Sequence, residues 1–141
     1  MNSIKIEKKA VDFLKSVISN HDRMDEFINV NDKEPSWDGN IYLYNTDGLK
    51  AENIIYKIPV QIKGKNKENL LHKKFITYPV EYKHLRNYYR DSGVCYFVIV
   101  ISDNGEKKSI FYNALTPIKL KKELEGTESK KPNQTKNITL F

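Results

Sequence analysis

The run Val94-Cys95-Tyr96-Phe97-Val98-Ile99-Val100-Ile101 constrains the fold most, because it is apolar without a break. Side chains of a strand alternate between two faces, so an unbroken apolar run describes a strand covered on both, as in a parallel or mixed sheet. Cover on both faces requires other elements above and below, and the chain supplies candidates on either side of the run. From Ile4 to Ser19, the residues Ala10, Val11, Leu14, Val17 and Ile18 recur at helical spacing. Val80 to Arg90 reads as a second helix, with Tyr82, Leu85, Tyr88 and Tyr89 on its inner face and Lys83, Arg86 and Arg90 on another. Helix, hairpin, helix and buried strand in that order describe an α/β domain.

Turn chemistry divides the remainder. Phe75-Ile76-Thr77-Tyr78 is a short run ending at Pro79, and Asp91-Ser92-Gly93 closes the second helix. Asp103-Asn104-Gly105 leads into a strand from Ser109 to Asn113, and Pro117 to Leu124 reads as a basic helix. A length of 141 residues suits one domain, expected over 1–125. Residues 126–141 are polar and linker-like until Asn137-Ile138-Thr139-Leu140-Phe141, which reads as the start of a further element. The expectation is therefore an N-terminal part of a longer protein.

Two short motifs sit at the ends of the hairpin. Asn40 to Tyr44 and Ile54 to Ile62 are rich in Ile, Val and Tyr, with Asn45-Thr46-Asp47-Gly48 as the turn signal between them. Pairing about a centre between Leu49 and Lys50 places Asp38 of Trp37-Asp38-Gly39 opposite Gln61 of Val60-Gln61-Ile62-Lys63-Gly64. Gln61 and Lys63 then share a face, and Ile58, Val60 and Ile62 point the other way. Pro59 within this strand requires a bulge or an outward-facing amide.

This residue set suits phosphodiester hydrolysis. A hard divalent cation takes oxygen ligands, which Asp38 and the Gln61 side-chain carbonyl offer, and it polarises phosphate and acidifies bound water. Lys63 supplies a compact positive charge for the phosphate or the attacking water. Glu7 falls in line with the apolar face of the first helix, where a carboxylate needs a partner or a wet position in the first turn.

With these residues the chain resembles the PD-(D/E)xK superfamily of restriction-endonuclease-like proteins, in the Gln-x-Lys branch found at the N-terminus of bacterial defence-type proteins. The resemblance runs from about Ile4 to Leu115 and is carried by Glu7, Asp38, Gln61 and Lys63. Ser36 and Trp37 precede Asp38 in place of the namesake Pro, and Gln61 stands where many members have an acid. The resemblance implies a core of helix, three-strand meander, helix and strand, with a central mixed sheet flanked by helices. It also implies Mg2+ or Mn2+ held by Asp38, Gln61, the Ile62 carbonyl and Glu7, with Asp38, Gln61, Lys63 and Glu7 as the catalytic set. DNA, more than RNA, is the expected substrate, and defence against phage or foreign DNA the expected setting.

The net charge of +6 is unevenly spread. Residues up to Tyr56 have a slight acidic excess, whereas Lys57, Lys63, Lys65, Lys67, Lys73, Lys74, Lys83, Arg86 and Arg90 face only Glu68 and Glu81 over the next stretch. Lys65, Lys67, Lys73, Lys74, Lys83 and Arg86 are the candidates for contact with nucleic-acid phosphates, against the alternative of solubilising loops. The lone Cys95 excludes an internal disulfide and reads as a small packed hydrophobe. His21, His72 and His84 lie among polar residues and read as solvated. With no signal peptide and no long apolar run, a soluble cytoplasmic protein is expected. The reading from a different class is a non-catalytic nuclease-like module that binds nucleic acid or a partner protein. Effector domains and self-association stay open as partners.

Overall fold

The computed structural model describes residues 1–29 and 35–141. In chain order its elements are α1 (Ser3–Ser19), β1 (Met24–Ile28), β2 (Gly39–Tyr44), β3 (Ile54–Asn66), β4 (Ile76–Glu81), α2 (Tyr82–Arg90), β5 (Val94–Ile101), β6 (Lys108–Leu115), α3 (Pro117–Leu124) and β7 (Thr135–Leu140). The fold is mixed α/β. A five-stranded sheet has the order β1-β2-β3-β5-β6, and β4 and β7 form a separate two-stranded sheet. The apolar run is β5, parallel to β3 on one side and antiparallel to β6 on the other.

Alternation along β3 and β5 sorts their side chains onto two cores. Val60, Ile62, Ile99 and Ile101 pack with Ala10, Val11, Leu14 and Ile18 of α1. Tyr96, Val98 and Val100 face the other way, among Tyr82, Leu85 and Tyr88 of α2, Leu120 of α3, and Val80, Ile138 and Leu140 of the small sheet. Asn2 caps α1 by accepting the Lys5 N–H at 2.9 Å, and Thr116 caps α3 ahead of Pro117.

Several local expectations are corrected. Met24–Ile28 is an edge strand that its acidic, poorly alternating sequence concealed. Pro79 does not end its strand: it sits within β4 opposite Asn137, and α2 starts at Tyr82. The further element expected from Asn137 is present as β7, which begins two residues earlier, at Thr135, pairs with β4 along its length and buries Ile138 and Leu140 in the core of α2 and α3. Tyr89, expected on the inner face of α2, is exposed. Among the described residues no helix is long and apolar enough to cross a membrane.

Candidate active site

The hairpin register holds as expected. Gly39 opposes Val60 and Ile41 opposes Ile58, about the centre between Leu49 and Lys50, until an irregularity at Leu43/Tyr44. The regular pairing ends at Gly39 and Val60, and Asp38 itself meets β3 through Val60 and Ile62, on either side of Gln61. Asp38 is fixed in place by its backbone, which donates to the Val60 carbonyl at 2.8 Å and accepts the Asn29 N–H at 2.8 Å. Its carboxylate accepts the Ile62 N–H through Oδ2 at 2.8 Å and is buried. Gly39 is required beside it: a Cβ there would lie 2.2 Å from the Phe27 carbonyl oxygen, and φ is +153°.

These bonds also orient β3. Val60 and Ile62 turn their backbone polar groups toward β2, so the Ile62 carbonyl lies on the strand edge that the Asp38 carboxylate occupies. Pro59, one residue out of phase, turns the other way, just before β5 begins to pair at Val60. The missing donor therefore costs the β2 ladder nothing, which is the outward-facing case rather than a bulge.

Gln61, Lys63 and Lys65 project from the face of β3 that β5 continues with Tyr96, Val98 and Val100. Aromatic rings line that face in a row. Trp37 meets Tyr88 edge-on at 5.4 Å, Tyr88 lies 6.4 Å from Tyr96, and Tyr96 lies 6.1 Å from Tyr78. The Lys65 ammonium sits over Tyr78, 5.8 Å from the ring centre. Burial, reinforced by the Asp38 charge, pushes the Tyr88 and Tyr96 phenols far up, so both stay protonated donors. Among the described residues neither Gln61 nor Lys63 is held in a side-chain hydrogen bond or ion pair with another residue. No fully buried side-chain nitrogen or oxygen there lacks a partner, so the Gln61 amide, on a residue only 9% exposed, opens to solvent.

A clamp from α2, which sequence reasoning missed, holds the segment before Asp38. Tyr88 donates to the Ser36 carbonyl at 2.5 Å, Asn87 donates to Ser36 Oγ at 2.9 Å, and Ser36 Oγ lies 2.6 Å from His84 Nδ1. Trp37 Nε1 donates to the Gly93 carbonyl at 3.3 Å. Ser36 is held at φ +70°, a strained conformation for a residue with a side chain, next to the site. His84 is thus not the solvated residue expected. Its ring stacks on Tyr88, and burial lowers its pKa against the opposing pull of Glu81. Only the i+3 and i+4 spacing of Glu81, His84, Asn87 and Tyr88 could have signalled a shared face.

Comparisons with protein families, with curated proteins and with solved structures return no match to this chain. Geometry therefore carries the reading. Glu7 lies in the second turn of α1, half-buried, rather than in a wet first turn, and its charge reaches Tyr78 at the far end of the aromatic row. No group of three His, Cys, Asp or Glu side chains converges among the described residues. Asp38, Gln61 and the Ile62 carbonyl fit a hard cation in kind, offering oxygen donors on one strand end, and their combined charge is a single negative one.

The basic candidates separate into two groups. Lys65, Lys67, Lys73 and Lys74 line one concavity of about 430 Å3 together with Leu70, Phe75, Ile76 and Thr77. Lys83 and Arg86 lie elsewhere. Lys83 pairs with Glu81 at 3.5 Å, and Arg86 donates to the Thr127 and Lys130 carbonyls at 3.1 and 2.7 Å while covering Tyr82. Arg86 thus holds the loop after α3. Cys95 is partly buried, and its thiol is pushed up to about 11, as suits a packed hydrophobe.

Proposed function

We propose that this chain is a divalent-metal-dependent nuclease that hydrolyses phosphodiester bonds, with DNA as the leading substrate and a setting in defence against phage or foreign DNA. The observation that carries the reading is the anchoring of the Asp38 carboxylate on the Ile62 N–H, beside the strand face that presents Gln61 and Lys63. The element order supports it as well. With β4 set apart in the small sheet, the helix, antiparallel meander of β1 to β3, further helix and strand parallel to β3 follow the succession implied by the resemblance to restriction-endonuclease-like proteins.

Asp38, Gln61, the Ile62 carbonyl and Glu7 are the groups that would hold Mg2+ or Mn2+, which when bound supplies Lewis-acid polarisation of the phosphate and a water of lowered pKa. Lys63 brings a positive charge to the non-bridging oxygens as negative charge grows on them. Asp38 keeps its orientation because one carboxylate oxygen is tied to the backbone of β3. The Tyr96 hydroxyl, kept protonated by burial, is a neutral donor on the same face.

The non-catalytic alternative has one observation of its own, the neutral amide of Gln61 where a second carboxylate would strengthen cation binding. Cleavage of plasmid and single-stranded DNA with Mg2+ or Mn2+ decides between the two. Asp38→Asn keeps an acceptor for the Ile62 N–H and removes the charge, and Lys63→Ala removes the cation. Loss of roughly 10²-fold or more in both is expected. An absence of cutting by the unaltered chain with either metal moves the assignment to a binding module.

A further inference from the structure

The four-lysine concavity adjoins exposed aromatic surface. Phe75 lines it and is 57% exposed; its ring lies 6.4 Å from that of Phe141, 65% exposed. Both residues stand on the outward face of the small sheet, because Ile76 and Leu140, their neighbours in the strand pairing, turn into the core. Two large apolar rings exposed side by side beside a basic cleft have the composition of a base-stacking platform.

The cleft is also continuous with the proposed catalytic strand. Lys63 and Lys65 follow each other on one face of β3 at a step of about 6.6 Å, and Lys67 continues the line into the cleft. That step is comparable with the distance between successive phosphates of an extended nucleotide chain. Lys65 belongs to both places, lying over Tyr78 on the aromatic row and lining the concavity.

We infer that the cleft of Lys65, Lys67, Lys73 and Lys74, with Phe75 and Phe141 at its rim, binds single-stranded nucleic acid and leads it along β3 toward Lys63. A duplex does not satisfy this arrangement. Its bases are stacked on each other, so they offer no ring face to Phe75, and its stiff backbone does not bend phosphates into a concavity of this size. An unpaired strand does both, with phosphates on the lysines and bases on the rings. The inference rests on the nuclease reading for the direction of the strand and names the form of the substrate, but the binding it describes stands without cleavage.

Fluorescence anisotropy of labelled oligonucleotides of about 12 nucleotides, in EDTA to prevent cutting, tests it with single-stranded DNA, single-stranded RNA and a blunt duplex of the same sequence. The single strands are expected to bind at least about tenfold more tightly than the duplex, and the two sugar types are told apart by their ratio. Phe75→Ala is expected to weaken single-strand binding by about five- to a hundredfold with an unchanged salt slope, as removal of one stacking ring requires. Lys65→Ala with Lys67→Ala is expected to flatten the slope by about 0.7 for each phosphate no longer neutralised. Both Phe75 and Phe141 are exposed, and Phe141→Ser provides a second aromatic variant if Phe75→Ala alters the fold. Equal or tighter duplex binding, aromatic variants that bind as the unaltered chain does, or no binding of any nucleic acid would overturn the inference. Single-strand binding that responds to both sets of substitutions, in a chain that cuts nothing with Mg2+ or Mn2+, would instead overturn the nuclease reading alone.

Discussion

The two faces of the central sheet are made by the same strands and differ in what they tolerate. Toward α1, Val60, Ile62, Ile99 and Ile101 meet Ala10, Leu14 and Ile18 with no polar side chain among them. Toward α2, one residue along on each strand, Gln61 and Tyr96 lie among phenols, a buried carboxylate and the Ser36–His84 bond. A period of two in the sequence separates an apolar face from one that gathers polar groups.

Adjacent substitutions on β3 should expose the contrast most strongly. Ile62→Ala removes a side chain that is fully buried against α1 and should cost about 2–5 kcal/mol in urea unfolding. Gln61→Leu, its neighbour and also buried, replaces an amide that makes no hydrogen bond among the described residues with an apolar group, and should be neutral or stabilising while impairing cleavage. Equal destabilisation by both would remove the distinction between the faces.

Gly64 provides the next largest effect, again on the α1 face. A Cβ at Gly64 would lie 2.8 Å from the Ile6 carbonyl oxygen, 2.9 Å from Ile6 Cγ2 and 3.1 Å from the Ala10 Cβ, so α1 rests directly on the strand here. Gly64→Ala should lift the helix and lower stability by about 1–3 kcal/mol. It should also disturb Glu7, which follows Ile6, so hydrogen exchange would report faster opening of α1 than of α2. Uniform exchange across both helices would argue that the packing of α1 on β3 is slack.

How far the sequence revealed these faces follows from the same physics. The register of β2 and β3 was readable because Asn45 to Gly48 fixed the turn, and alternating Ile and Val residues fixed which side is dry. β5 and α3 were readable because an unbroken apolar run and the basic stretch opening at Pro117 leave few alternatives. β1 was not readable, and β7 was readable as an element but not its pairing with β4, because Asp25, Glu26, Lys136 and Asn137 sit on strands stabilised by partners elsewhere in the chain. At the site, register brought Asp38 to the end of β3 that carries Gln61 and Lys63, while its own bonds go to Val60 and Ile62. Ser36, His84 and Asn87 could not, since their hydrogen bonds span 48 and 51 positions and no local pattern links them. For Arg86 the charge was visible, but the two carbonyls to which it donates were not.

Ser36 gives a smaller test, on the α2 face. Ser36→Ala deletes the acceptor of the Asn87 amide and the partner of His84, and should cost about 1–2 kcal/mol. Ser36→Gly loses the same bonds but accepts φ +70° without strain, so it should cost less than Ala. Should the two variants prove equal in urea unfolding, the positive φ carries no strain at this position.

The smallest effect is in pH, and its sign follows from His84. Burial holds its pKa below the ordinary 6.5, with Lys83 and Lys63 adding to the decrease and Glu81 opposing it. The unfolded chain therefore takes up a proton more readily than the folded one in the window just below pH 6.5. The stability linked to this group is fully present above pH 6.5 and is lost as pH falls toward the folded pKa, below which no further loss occurs. Replacing the group separates this from the titration of carboxylates: His84→Asn should lose less stability than the unaltered chain between pH 8 and pH 5. Parallel losses in the two proteins, measured as urea midpoints, would mean that His84 titrates as freely folded as unfolded, and the α2 face would then be wetter around Ser36 than its hydrogen bonds imply.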